Sequence, residues 1–424
     1  MKRTRRSLAL LSIILIFSTF SMSSCILLGY GSDHVTADDV MDMIDKGMNG
    51  NITVEGGDNY NVTINGADSA NVSAAKALLS SVSIHAVFKT AAYGSSSYQP
   101  GTITSREKTA IGSGVIYKLD KNSGDAYIIT NYHVVYYSQS NTENGISNDI
   151  RVYLYGQESE DYAIKATYVG GSMNYDLAVL KIDGSRILAE SNAVAASFAN
   201  SDEVAVLDTA IAIGNPEGLG ISATLGHINV DSEYITMEGA DGSTTIQVRV
   251  MRTDTAVNGG NSGGGLFNNR GELIGIVNAK LTNSDNMSYA IPANFVKLVA
   301  ENVLYYCDGT ALQGVYRCYL GITVEAGKLY TVYDAERGIV LKKEQVTISD
   351  IENDGLAKGV LMEGDIINYI TIDGAKYTVD RVYLVIDSML AARVGSTVTV
   401  NVTRGGETLD FTIEIKESAL TQIK

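Results

Sequence analysis

The stretch NGGNSGGGLF, Asn258 to Phe267, sets one serine among five glycines. A run of this kind is either an anion-binding catalytic turn or a flexible loop. Glycine opens positive φ and lets backbone approach a ligand closely, which both readings use. The segments on either side carry the distinction.

Outward from that stretch the chain is strand-like. Between residue 77 and about 306 run SVSIHAVF, GSGVIYKL, AYIITNYHVV, IRVYLYG, AIKATYVG, DLAVLKI, VAVLDTAIAIG, TTIQVRVM, GGGLF and ELIGIVNAKL, with few helical periods between them. With 42 Gly, 3 Pro, no Trp and 25 Tyr, the composition favours β-strands joined by tight turns. The pattern predicts an antiparallel barrel or sandwich rather than a βαβ fold. In AIPANFVKLVAENVLYY the apolar spacing from Phe295 onward predicts a helix after Pro292. Beyond it a second unit follows, with hairpins in GVLMEGDIINYITIDG and STVTVNVTRGGETLDFTIEI and a helix in VDRVYLVIDSMLAARV. At 424 residues, two or three units are expected.

A net charge of −16 and a pI near 4.7 exclude a polyanion partner, since phosphate binding needs clustered Lys and Arg. Nucleic acid is therefore not a ligand. The histidines are His34, His85, His133 and His227, and none stands near another His or Cys at metal-ligand spacing. No metal or cofactor is implied.

The N-terminus MKRTRRSLALLSIILIFSTFSMSSC has the order of an export signal over residues 1–24: basic residues, an apolar run from Leu8 to Phe20, then small residues. The apolar run is shorter than the roughly 20 residues of a spanning helix. SMSSC resembles a bacterial lipoprotein processing site, which makes Cys25 the lipidated new N-terminus on the outer face of the cytoplasmic membrane. The alternative is an ordinary signal peptidase site with an incidental cysteine. Residues 25–76 read as a polar tether. Within it a ten-residue pattern restarts at Asn51, Asn61 and Asn71 as short strands and turns or as a plain spacer. Cys307 and Cys318 are either a disulfide closing a short loop or two buried thiols.

Serine catalysis needs an imidazole beside the hydroxyl, a carboxylate to fix the imidazole tautomer, and backbone N–H groups aimed at the oxyanion. His133 stands at the end of the apolar strand AYIITNYHVV, and Asp176 just before the strand in NYDLAVLKI. Strand ends are where such groups converge on a cleft. On GSGVIY, TNYHVV, YDLAVLKI, AIGNPEGLG, TDTAVNGGNSGGGLFNNRGELIGI and YAIPANFVKLV, in that order, the chain resembles the HtrA/Deg family of chymotrypsin-fold serine proteases followed by a PDZ domain.

The resemblance implies a mainly β fold, a chymotrypsin-like double β-barrel protease domain over 77–306 and a PDZ domain over 316–418. It makes Ser262 the nucleophile, His133 the general base and acid, Asp176 the orienting carboxylate, and the N–H groups of Gly260 and Ser262 the oxyanion hole. Asn261 stands where digestive relatives carry the Asp that pairs with a newly cut N-terminus, so activation by clipping is disfavoured. The family has proline where Gly259 and Gly265 stand, and the glycines imply a more mobile turn whose oxyanion hole orders on ligand binding. Ala256 and Val257 fall at the pocket floor and Asn278 to Lys280, with Ala279 between, along its wall. No acidic residue lies at the base, so cleavage after small or medium aliphatic residues is expected. YLGI, with Leu320, Gly321 and Ile322 as the carboxylate loop, resembles the PDZ signature and implies capture of peptide C-termini. The expected partners are unfolded polypeptides, peptide C-termini, the membrane through the lipid, and further copies as a homo-trimer. The alternative function is a chaperone-like or weakly active peptide-binding protein on a protease fold.

Overall fold

The structure, a computed structural model, describes residues 53–55, 61–63, 69–93, 103–280, 287–307 and 314–423. The signal peptide, Cys25, His34 and much of the tether lie outside these residues. In the tether, β1 (Thr53–Glu55) and β2 (Asn61–Thr63) pair antiparallel, Thr53 opposite Thr63. The third copy of the pattern departs from the strand expectation. Its Asn71 lies in α1 (Ser69–Leu79), where Ala-rich SANVSAAKALL favours helix over extended chain.

The first barrel closes from β3 (Ser81–Tyr93), β4 (Ile103–Asp120), β5 (Asp125–Thr130), β6 (Asp149–Leu154), β7 (Ile164–Ser172) and β8 (Leu177–Ile182), in the order β3-β4-β5-β8-β7-β6. Alternation explains β3: Val82, Ile84, Ala86 and Phe88 all point inward and are almost wholly buried. A short turn, α2 (Tyr132–Val135), follows β5, and α3 (Arg186–Glu190) follows β8. The second barrel closes from β9 (Thr209–Gly214), β10 (Ser222–Glu238), β11 (Thr245–Thr253), β12 (Gly265–Phe267), β13 (Leu273–Lys280) and β14 (Ser288–Pro292), in the order β10-β11-β14-β13-β12-β9. Each barrel keeps its own apolar interior.

A third apolar cluster joins the barrels. It takes Ile129, Leu177 and Val179 from the first, and Ile211, Ile213, Phe267 and Ile276 from the second. Across it lies α4 (Ala293–Tyr306), with Pro292 as its N-cap. Phe295, Val296, Val299, Ala300 and Val303 form its buried face at helical spacing. Each large aliphatic or aromatic side chain there contributes about 1.5–3 kcal/mol. The barrel strands and this helix match the sequence expectation.

The C-terminal unit contains β15 (Val315–Cys318), β16 (Ile322–Asp334), β17 (Ile339–Ile351), β18 (Ile366–Ile372), β19 (Ala375–Thr378), α5 (Val382–Ser388), β20 (Thr397–Arg404), β21 (Glu407–Glu414) and β22 (Leu420–Ile423). Its main sheet runs β16-β17-β18-β20-β21, with Val398, Val400 and Val402 of β20 facing the core. It extends past residue 418, because β22 pairs with β15, Val315 opposite Ile423. Val315, Leu390 and Ile423 join the cluster under α4, so the unit docks on the barrels through apolar burial. Among the described residues no helix is long and apolar enough to cross a membrane.

Candidate active site

β5 runs to Thr130, and Asn131 leads into α2, where Val134 and Val135 are buried anchors. That anchoring turns His133 into the seam between the barrels. Asp176, between β7 and β8, is 2% exposed. Its Oδ2 lies 2.7 Å from His133 Nδ1, and its Oδ1 accepts the His133 backbone N–H at 3.0 Å. A carboxylate only accepts, so Nδ1 carries the proton and Nε2 on the opposite ring edge is left basic. Burial lowers the pKa of His133, but the charge of Asp176 and its hydrogen bond raise it above the ordinary histidine value overall.

Two asparagines hold Asp176 in place. Asn131 Nδ2 donates to its carbonyl at 2.8 Å, and Asn278 Nδ2 to its Oδ2 at 2.6 Å. Both leave a buried Oδ1 with no hydrogen-bond partner among the described residues. Asn131 thus holds the Asp176 main chain, and Asn278 its carboxylate. Asn278 therefore corrects the pocket-wall expectation in part: its side chain backs Asp176, a role that only the folded register of β13 reveals.

On the other side of the seam, the Ser262 turn is tied peptide by peptide. The Gly259 carbonyl accepts from Glu217 N at 2.7 Å, and the Asn261 carbonyl from Gly264 N at 2.9 Å. A trans peptide points its N–H opposite its carbonyl, so the N–H groups of Gly260 and Ser262 face away from those anchors. Neither has a partner among the described residues. Ser113 adds a brace, with Oγ donating to Gly260 O at 2.7 Å and accepting Asn215 N at 2.8 Å. Gly260 has φ +96°, and a Cβ there would lie 2.2 Å from Asn215 O, so only glycine fits. Ser262 Oγ donates to Asn278 O at 3.2 Å. No hydrogen bond joins Ser262 to His133 among the described residues. Such bonds commonly tighten only with substrate.

The two glycine departures from the family have different causes. A Cβ on Gly259 would meet nothing within 4 Å, whereas one on Gly265 would lie 2.3 Å from the ring of Phe267. Phe267 is fully buried, so a side chain at Gly265 would have to displace a packed ring. The Gly259 and Asn261 carbonyls are tied by hydrogen bonds without proline at either glycine position. Gly265→Ala is expected to cost about 1–3 kcal/mol in chemical denaturation, and Gly259→Ala to be neutral or stabilising by about 0.4–1 kcal/mol.

Ala256 is exposed, its carbonyl accepting Thr224 Oγ1 at 2.9 Å, and Val257 is buried. The side chains of Ala279 and Lys280 lie outside the described residues. The rings of His85 and Tyr153 lie tilted against each other, with centroids 4.7 Å apart. Cys307 and Cys318 are both buried and are not joined in a disulfide.

In the C-terminal unit, Leu320 O accepts Ala357 N and Gly321 O accepts Glu352 N, both at 2.9 Å. By the same planarity the N–H groups of Gly321 and Ile322 turn away from these anchors. They stand at the head of β16, an edge strand of its sheet, with α5 in contact.

Residues 112–276 match the family model of the trypsin-like peptidase domain. The chain is 38% identical over 212 residues to the serine protease Do-like HtrA of Lactococcus lactis subsp. cremoris (strain MG1363), covering 48% of this chain and 46% of that protein. It is 30% identical over 316 residues to the serine protease Do-like HtrA of Lactobacillus helveticus, covering 72% and 68%. The chain spans about half the length of the first of these relatives. A solved HtrA-type protease, AlgW with a decapeptide, aligns at 25% identity and a TM-score of 0.49, over 82% of this chain and 98% of that one.

Proposed function

Because this chain belongs to the HtrA family of serine proteases, we propose that it is an exported serine endopeptidase of protein quality control, hydrolysing unfolded polypeptides through Ser262, His133 and Asp176. The observation that carries the reading is the His133–Asp176 pair at 2.7 Å, and the tied Gly259 and Asn261 carbonyls, which turn the Gly260 and Ser262 N–H groups the other way, support it. Ser262 Oγ leaves Asn278 O, attacks the peptide carbonyl carbon and passes its proton to His133 Nε2, which delivers it to the departing amine. The oxyanion forms against Gly260 and Ser262, each such donor contributing about 2.7–4 kcal/mol to the transition state. Water then repeats the attack on the acyl-enzyme.

The finer parts of the proposal rest on sequence and local geometry. Cys25 carries the lipid that holds the protein at the outer face of the cytoplasmic membrane, and the protein works as a homo-trimer. The C-terminal unit is a PDZ domain, supported by the outward-turned N–H groups of Gly321 and Ile322, which suit the carboxylate of a peptide C-terminus added along β16. Ala256 and Val257 floor a pocket without negative charge. Digestion of unfolded casein is expected to yield fragments ending in small or medium aliphatic residues, read by mass spectrometry. Cleavage clustered after Arg or Lys would overturn this pocket assignment. The Ser262–Asn278 bond favours one second reading, a chain that holds unfolded polypeptides and seldom cuts them.

A further inference from the structure

Asp176 has φ +49°, a left-handed backbone for a residue with a side chain. Such a conformation persists only where its surroundings over-determine it. On Asp176 itself the restraints come from the barrels: Asn131, Asn278, the His133 backbone, and Met173 O, which accepts its N–H at 3.1 Å. One residue upstream, Tyr175 N donates to Ser172 Oγ of β7 at 3.3 Å, and further restraints come from elsewhere. Tyr175 meets Phe295 of α4 edge-on, with ring centroids 5.0 Å apart, and its hydroxyl accepts a hydrogen bond from Arg317 Nη1 at 3.1 Å.

Arg317 belongs to β15 of the C-terminal unit, and its own placement is fixed. Its guanidinium lies 4.6 Å from the Tyr319 ring centroid and hydrogen-bonds the Tyr319 hydroxyl. Next to it, Tyr316 N donates to Asn302 Oδ1 of α4 at 2.8 Å, while Asn302 Nδ2 donates to Tyr316 O at 2.6 Å and Leu390 O at 2.8 Å. Across the same junction Arg249 of β11 pairs with Asp387 of α5 at 2.6 Å, both side chains under a tenth exposed. Arg249 also lies over Phe295, the ring that supports Tyr175. Burial pushes the Tyr175 phenol up to about 12, so it stays neutral; the groups facing it are Arg317, Tyr319, Asp387 and Tyr234.

We propose that Arg317 is a positioning residue for the catalytic centre: reaching from the C-terminal unit to the Tyr175 hydroxyl, it holds the Tyr175–Asp176 segment in the backbone conformation that presents the carboxylate to His133. The docked unit is thereby part of the protease and not only a peptide-binding appendage. This inference rests on the triad assignment, and it implicates Tyr175 as the relay.

The test compares Tyr175→Phe, Arg317→Ala and the double variant with the wild type in the full chain. Tyr175→Phe removes only the accepting oxygen and keeps the ring on Phe295. With a short chromogenic peptide, each single variant is expected to lose about 10-fold to 100-fold in kcat with KM unchanged. The double variant is expected to lose no more than either single, as for residues acting through one contact. An NMR titration of the His133 ring is expected to give a lower pKa in the variants, because a displaced carboxylate raises it less. Unchanged kcat with an unchanged His133 titration would overturn the inference, as would losses that multiply in the double variant. The titration needs no turnover, so a wild type that fails to hydrolyse peptide refutes the proposed function while the His133 comparison still decides the role of Arg317.

Discussion

Ser262→Ala is expected to abolish hydrolysis of casein, lowering kcat by about 10⁶-fold, as for loss of the nucleophile in a triad acting as a unit. The fold should survive. The side chain makes one recorded hydrogen bond, to Asn278 O, and losing such a bond costs about 0.5–1.5 kcal/mol. In a unit the size of residues 77–306 that moves the melting temperature by only a few degrees, at about 2–4 °C per kcal/mol. Retained melting with lost hydrolysis assigns the chemistry to the hydroxyl. Residual cleavage near wild-type rate would place the nucleophile elsewhere.

Asp176→Asn carries the second largest effect, about 10⁴-fold in kcat. The geometry explains why. Oδ2 accepts from both His133 Nδ1 and Asn278 Nδ2, at 2.7 and 2.6 Å. An amide placed there presents either a nitrogen to two donors, or an oxygen that lacks the charge favouring the imidazolium. The pH profile follows with a definite sign. His133 must be neutral to take the Ser262 proton, so activity is lost as pH falls through its pKa. Asp176 raises that pKa, so removing the charge moves the acid limb of kcat/KM to lower pH. An unmoved limb would mean that His133 does not titrate against Asp176 in the working enzyme.

The parts of this molecule that its sequence made legible are those with local signatures. SVSIHAVF alternates and becomes β3, while the run from Phe295 has helical spacing and becomes the buried face of α4. His133, Asp176 and Ser262 stood out because each sits in a distinctive strand-end or turn context. The roles that were missed depend on partners far along the chain. Asn278 is 102 positions from the carboxylate it backs, and Arg317 is 142 from the phenol it holds. No periodicity encodes either contact. Local chemistry also misled. Asn71 repeated a strand-like pattern inside an alanine-rich segment that folds as α1.

The turn around Ser262 also shows how a departure from a family pattern is absorbed. Where proline would pre-set the backbone, here Glu217, Gly264 and Ser113 fix the neighbouring carbonyls through hydrogen bonds. The orientation of the Gly260 and Ser262 N–H groups then depends on the Asn215–Gly220 turn as well as on the serine turn itself. Loop and serine turn belong to one unit.

The central claim is that Ser262 is a nucleophile activated by His133. A fluorophosphonate probe, which reacts with an activated serine and not with an ordinary hydroxyl, tests it directly in the folded protein. Trypsin releases Thr253–Arg270 as the peptide bearing Ser262. The expected result is a phosphonylated Ser262 in that peptide from the wild type and none from His133→Ala. An unlabelled Ser262 in folded wild-type protein, or a probe found on another serine, would contradict the account.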